Sequence, residues 1–197
     1  MSDSFNHAVS HAMKYEVGPF WNDQHPAVAT GDISSSANRK AVGYVNDPTD
    51  AGGETKFGVA KNANPELDIT KLTWDAAKRV YYRKYWLTSN CDELCTKCPK
   101  LAIMHFDGAV NHGVGRAATF LQTALGVAVD GDIGPKTIQA ALDQCASPEA
   151  EIALCEKIAK LRIAFYNKIV ANKPPQKRFL SGWLARIADI SAFIKTM

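Results

Sequence analysis

Gly43-Tyr44-Val45-Asn46-Asp47-Pro48-Thr49-Asp50-Ala51-Gly52-Gly53-Glu54-Thr55-Lys56-Phe57-Gly58-Val59-Ala60 is the stretch on which the reading of this chain turns. Its glycines and its proline break any helical run, so it reads as a bent ribbon of turns and short strands. Asp47, Asp50, Glu54 and Thr55 fall among the turns, with Tyr44 and Phe57 towards the ends. Carboxylates, a hydroxyl and aromatic rings on a glycine-shaped loop suit a site that grips a polar, ring-shaped ligand. A solvated acidic hairpin is the plainer alternative. The flanking sequence bears on the choice.

Upstream, Phe5, Ala8, Val9, Ala12 and Met13 follow the i, i+3, i+4 spacing of an amphipathic helix, with Asp3 or Ser4 able to cap its start. Glu16 falls at the C-terminal end of that helix, before Val17, Gly18 and Pro19. That end disfavours an anion, so a carboxyl there is expected to hold a proton, as a general acid must. An exposed surface glutamate is the alternative. Residues 18–42 are polar, show no period, and read as a long surface loop.

Downstream, residues 70–86 read as a helix with Thr73 as a plausible cap, ending in a group of aromatics. Residues 101–110 are mostly apolar and read as a buried helix, with Asp107 and Asn111 sharing a face. A buried polar pair needs partners, or it lines a cleft. Helices are expected over 116–125, 136–144 and 149–170, with Pro135 in a first turn. After a break at Lys173-Pro174-Pro175, a last helix carries the stripe Phe179, Leu180, Trp183, Leu184, Ile187, Ile190 and Ile194. The sum is about seven helices and one small ribbon: a mainly α fold.

The 197 residues suffice for one domain or two small lobes, and a net charge of +3 is too weak to argue for nucleic acid. The N-terminus has no basic and apolar leader, and no apolar run reaches membrane-span length, so a cytoplasmic start and no stable membrane insertion are expected. Five cysteines argue against a complete disulfide framework. Cys91, Cys95 and Cys98, with His105 beyond, have spacing that suggests zinc or an iron–sulfur cluster; reduced thiols in a loop are the favoured reading. The Asp130-Gly131-Asp132 run resembles a calcium loop, but position twelve is Ala141 where that motif needs Glu, so no calcium is expected.

The ribbon resembles the signature of glycoside hydrolase family 108, the bacteriophage-type N-acetylmuramidases, in which Glu-Gly-Gly-Tyr-Val-Asn-x-Pro-x-Asp-Pro-Gly-Gly-x-Thr-x-x-Gly follows a helix. Excising residues 18–42 as an insertion joins Glu16-Val17 to Gly43-Tyr44 and puts Asp50 nine and Thr55 fourteen positions after Glu16. That order is similar to the Glu, Asp, Thr set of the phage-lysozyme superfamily. Val17 stands in place of the usual first glycine, and Ala51 in place of proline. The second half is similar to the peptidoglycan-binding region that accompanies the family, through Phe106-Asp107-Gly108-Ala109-Val110-Asn111-His112-Gly113, Leu121-Gln122, Leu125-Gly126, Asp130-Gly131, Gly134-Pro135, Thr137 and Gly182-Trp183-Leu184-Ala185-Arg186.

The resemblance implies an α+β lysozyme-like fold, a helical bundle with one small β-ribbon lobe forming a substrate cleft. It divides the chain into a catalytic region over 1–98, carrying the insertion at about 18–42, and a peptidoglycan-binding-type region over 99–197. It implies hydrolysis of the β-1,4 bond between N-acetylmuramic acid and N-acetylglucosamine, with Glu16 as the acid, Asp50 and Thr55 as catalytic partners, and no metal or other cofactor. Tyr44, Asn46 and Phe57 are expected to hold the glycan, with Asp107 and Asn111 bordering the cleft. Expected with it are a monomeric endolysin kept in the host cytoplasm until holin-type release, and peptidoglycan glycan strands as partner. A non-catalytic wall-binding module, a lytic transglycosylase and a metal-dependent amidase are the alternatives; only His7 and His11 stand at helical metal-ligand spacing.

Overall fold

The computed structural model describes every residue except Pro48, Asp50 and Ala51. The chain divides into two compact units. One comprises Asn6–Lys84 with Met1, the other Tyr85–Met197 with Ser2–Phe5. The fold is mainly α with one small antiparallel ribbon, as the pattern of periodic segments around residues 43–60 predicts.

Helix α1 (Asp3–Glu16) buries the expected stripe, with Phe5, Ala8, Val9, Ala12 and Met13 all at 2% exposure or less. The 18–42 segment departs from the loop reading. It contains two short helices, α2 (Pro26–Thr30) and α3 (Ser36–Ala41). Side chains supply their start signals: His25 Nδ1 accepts from Ala27 N–H, and Ser35 Oγ accepts from Asn38 N–H. Each satisfies an otherwise orphaned helix donor, worth about 1 kcal/mol. Helices this short show too few repeats to be read as a period in sequence. Ala27, Val28, Ala41 and Val42 are buried, so the excursion has a core face of its own.

The ribbon consists of β1 (Thr55–Lys56) and β2 (Val59–Ala60), paired Thr55 to Ala60 and Lys56 to Val59, with a further antiparallel bridge from Val45 to Thr55. Helix α4 (Trp74–Tyr81) starts where Thr73 Oγ1 accepts from Ala76 N–H, as expected. It then widens into a π-helical turn over Tyr82–Leu87.

The second unit is a helical assembly: α5 (Cys91–Cys95), α6 (Pro99–His112), α7 (Val114–Leu125), α8 (Pro135–Gln144), α9 (Pro148–Asn172) and α10 (Lys177–Lys195). Helix α6 is its centre, buried from Lys100 through Ala109, and Phe5 packs edge to face on Trp86 and Phe106 at 5.4 and 5.9 Å, with Trp86 tilted on Phe106 at 5.7 Å. Prolines open α6, α8 and α9, where the missing N–H costs nothing. The turn before α8 is tied by Gln122. Its Nε2 donates to Asp130 Oδ1 and Asp132 O, and its Oε1 accepts from Gly131 N–H.

Candidate active site

Glu16 ends α1, and the sequence then leaves on the 18–42 excursion. Val17 still bonds back to Met13 O at 2.9 Å, and Gly18, at φ +96°, turns the chain outward. The excursion returns to where it left. A Cβ on Gly43 would sit 3.1–3.2 Å from Val17. Fifteen positions on, a Cβ on Gly58 would lie 2.4 Å from Tyr81 Oη and 2.9 Å from Glu16 Cβ. Both glycines have positive φ, +60° and +71°, so the backbone and the lack of space require the same residue. The end of α1 and the ribbon are therefore in direct contact. The half-buried Glu16 stands beside the turn of the ribbon although 42 positions separate it from Gly58 in sequence.

The ribbon fixes its polar groups by backbone pairing. Thr55 exchanges both backbone hydrogen bonds with Val45, at 2.8 and 2.9 Å, and faces Ala60 on its other side. Its Oγ1 donates to Gly53 O at 3.2 Å, which leaves the hydroxyl lone pairs able to accept. Tyr44 Oη donates to Glu54 Oε1 at 2.7 Å, and this bond, then burial, raises the phenol pKa. Asn46 is exposed. Asp47 accepts from the backbone and hydroxyl of Thr49, which holds its carboxyl below the usual range. Asp50 lies outside the described residues.

Phe57 is a correction to the sequence reading. It is fully buried, at φ +52°, with its carbonyl accepting from Tyr81 Oη at 3.0 Å. Its ring packs on Trp74 at 5.6 Å and against Trp21 at 6.4 Å. It is core beneath the ribbon and offers no face to a sugar. Glu54, one of the ribbon carboxylates noted in the sequence, was given no role of its own because it occupies a variable position of the signature; its pairing with Tyr44 spans ten residues and leaves no local pattern.

Comparison with known proteins bears on this geometry. Residues 39–113 match the family model described as Glycosyl hydrolase 108. Residues 116–188 match that of a Predicted Peptidoglycan domain. The chain thus resembles glycosyl hydrolase 108 over residues 39–113. Among solved structures, a match is described as the structure of Brucella abortus SagA, 25% identical, covering 78% of this chain and 86% of that one at a TM-score of 0.60. No curated protein matches. Together the two family matches support a glycoside hydrolase acting on peptidoglycan. The glycosyl hydrolase 108 match starts at Arg39, so Glu16 lies upstream of it, on the far side of the excursion.

Within the glycosyl hydrolase 108 match, Asp107 is a second correction. Its side chain is 1% exposed, and both oxygens are taken. Arg162 Nη2 donates to one at 2.6 Å and Arg186 Nε to the other at 2.9 Å. Burial works against its charge, but the two guanidiniums outweigh that and hold the carboxyl below the usual carboxylate range. Asn111, one turn on, accepts from Tyr166 Oη and, at 3.5 Å, from Arg162. Of the two options for a buried polar pair, this one found partners. Asp107 joins α6 to α9 and α10 and lines no cleft.

The cysteines also sort differently in space than in sequence. Cys91 and Cys98 are buried; the Cys98 thiol donates to Ala141 O in α8 at 3.9 Å and also interacts with Cys145, 47 residues away just past that helix. Burial, then that contact, raises the Cys145 pKa. Among the described residues no three His, Cys, Asp or Glu side chains are grouped to hold a metal ion, and no helix is long and apolar enough to cross a membrane.

Proposed function

We propose that this chain hydrolyses the β-1,4 bond between N-acetylmuramic acid and N-acetylglucosamine, with Glu16 as general acid. The observation that carries the reading is the contact of Glu16 Cβ with the turn of the glycine ribbon at Gly58. It unites a helix-end carboxyl with the signature loop despite the intervening excursion. Glu16 protonates the glycosidic oxygen as the bond to the anomeric carbon breaks, and a water adds to that carbon, releasing a proton to solvent as Glu16 takes one back. Thr55 holds the water through its lone pairs, Asp50 supports the oxocarbenium-like charge, and Tyr44 with Asn46 orients the sugar.

The cellular reading is an endolysin-type enzyme, held in the host cytoplasm and freed by holin-type release. The direct test is mass spectrometry of soluble products from crosslinked peptidoglycan treated with wild type and with Glu16→Gln. Muropeptides with a reducing N-acetylmuramic acid end, absent with the variant, are expected. Anhydro ends would instead mean a lytic transglycosylase, and free peptides with intact glycan an amidase. A fully active Glu16→Gln would overturn the assignment of the acid.

A further inference from the structure

We infer that Cys98 and Cys145 are the two halves of a disulfide staple, joined when the chain meets a disulfide-type oxidant. The inference goes beyond the enzymatic reading and does not depend on it. All five cysteines are thiols, but these two already meet. Both converge on one carbonyl in the last turns of α8: Ala141 O accepts from Cys145 N–H at 2.9 Å and from the Cys98 thiol at 3.9 Å. The two thiols are also hydrogen-bonded to each other. Both backbones are tied. Cys98 N–H donates to Leu94 O at 2.8 Å and Cys98 O accepts from Ala102 N–H at 2.9 Å, so the joint between α5 and α6 holds one sulfur while the end of α8 holds the other.

Access sets the order of events. Cys98 and the nearby Cys155 are wholly buried, whereas Cys145 is half-buried. An external disulfide therefore reaches Cys145 first. The Cys145 thiolate attacks one sulfur of that disulfide, and the other sulfur leaves as a thiol with the proton that Cys145 gave up. Cys98 then attacks the Cys145 sulfur, closing the bridge, and the second external sulfur leaves with the Cys98 proton. Two protein thiols are oxidised and one external disulfide is reduced to two thiols. Burial raises the pKa of both cysteines, which keeps thiolate scarce and the pair slow to react at neutral pH. The closed loop spans 47 positions and contains α6 and α7 whole, with α8. Closing it restricts the unfolded chain far more than the folded one. Such a bond persists in an oxidising compartment and is absent from a reducing one, so the staple distinguishes the two surroundings.

The test is treatment of the full chain with excess oxidised glutathione, then alkylation of remaining thiols, non-reducing peptide mapping by mass spectrometry, and a thermal melt. A cross-link between the Cys98 and Cys145 peptides is expected, with a melting temperature about 5–10 °C above that of the chain kept in dithiothreitol. Cys145→Ser should abolish both, and it alters a half-buried position outside the core. Cys95→Ser, which removes the other half-buried thiol, should keep both. A glutathione adduct on Cys145 without the cross-link would overturn the pairing, as would a bridge between any other two cysteines or two thiols left unreacted. A cross-link that leaves the melt where dithiothreitol puts it would overturn the staple.

Discussion

At Gly58 the backbone conformation and the available space both exclude a side chain, and the neighbours that exclude it are Tyr81 and Glu16. Gly58→Ala should therefore cost about 1–3 kcal/mol in a thermal or denaturant melt, since an L side chain at φ +71° is strained and Tyr81 must also move. It should lower activity as well, because the turn rests against the α1 end. A melt identical to wild type would show that the ribbon does not press on α1. Glu16→Gln should leave the melt unchanged and lower the rate by about 10²–10⁴-fold, the usual worth of a positioned acid. At Thr55 the hydroxyl is the variable: Thr55→Ser should keep most activity, and Thr55→Ala should lose it, as read by turbidity clearance of cell walls. Equal activity in the two would remove Thr55 from the mechanism.

Among elements, α6, α9 and α10 are held together by one buried carboxylate and two guanidiniums. Breaking such a set is costlier than never having built it, because the survivors remain buried and charged. Asp107→Asn should cost about 3–5 kcal/mol, seen as a large drop in melting temperature, while Asp47→Asn on the exposed ribbon should change little. If Asp107→Asn melts like wild type, the cluster is not what joins the helices. These elements also show what a sequence can and cannot disclose. Long periodic helices and the Thr73 cap are legible because their signal is local. Asp107 was visible as a polar residue on an apolar helix, but its partners lie 55 and 79 positions away and no local pattern names them. For the same reason the Cys91, Cys95 and Cys98 spacing, read as reduced thiols, is silent on what Cys98 meets, which is Ala141 O and Cys145 more than 40 positions on. The ribbon signature named Glu16 and Thr55 as candidates, but did not tell that Phe57 points inward. At φ +52° the strand alternation that would assign its face does not hold.

For the whole molecule, the second unit carries two neutral histidines that resist protonation. Burial lowers the pKa of His105 to about 4 and that of His112 to about 3, the latter aided by Arg162, whose Nε donates to His112 Nε2 at 3.2 Å. The unfolded chain takes up these protons near pH 6.5 while the folded chain refuses them, so their contribution is complete above that pH. It is lost as pH falls towards 4 and 3, and the depressed carboxyl of Asp107 adds to the loss lower still. Melting temperature should therefore decline from about pH 6.5 downward, and a His112→Gln variant should flatten the first part of that decline. A flat profile between pH 7 and 5 would contradict it. The excursion has a longer consequence. Its ends meet at Val17 and Gly43, so in outline it could be cut away and the chain rejoined. Yet Lys56, wholly buried, places its ammonium on the carbonyls of Gly31 and Thr70, 2.5 and 2.8 Å away. Excision would strand that cation in the core with half its partners gone. The segment is thus entrenched: a lineage could discard it only after first replacing the lysine, and the order of those two steps is fixed by one side chain.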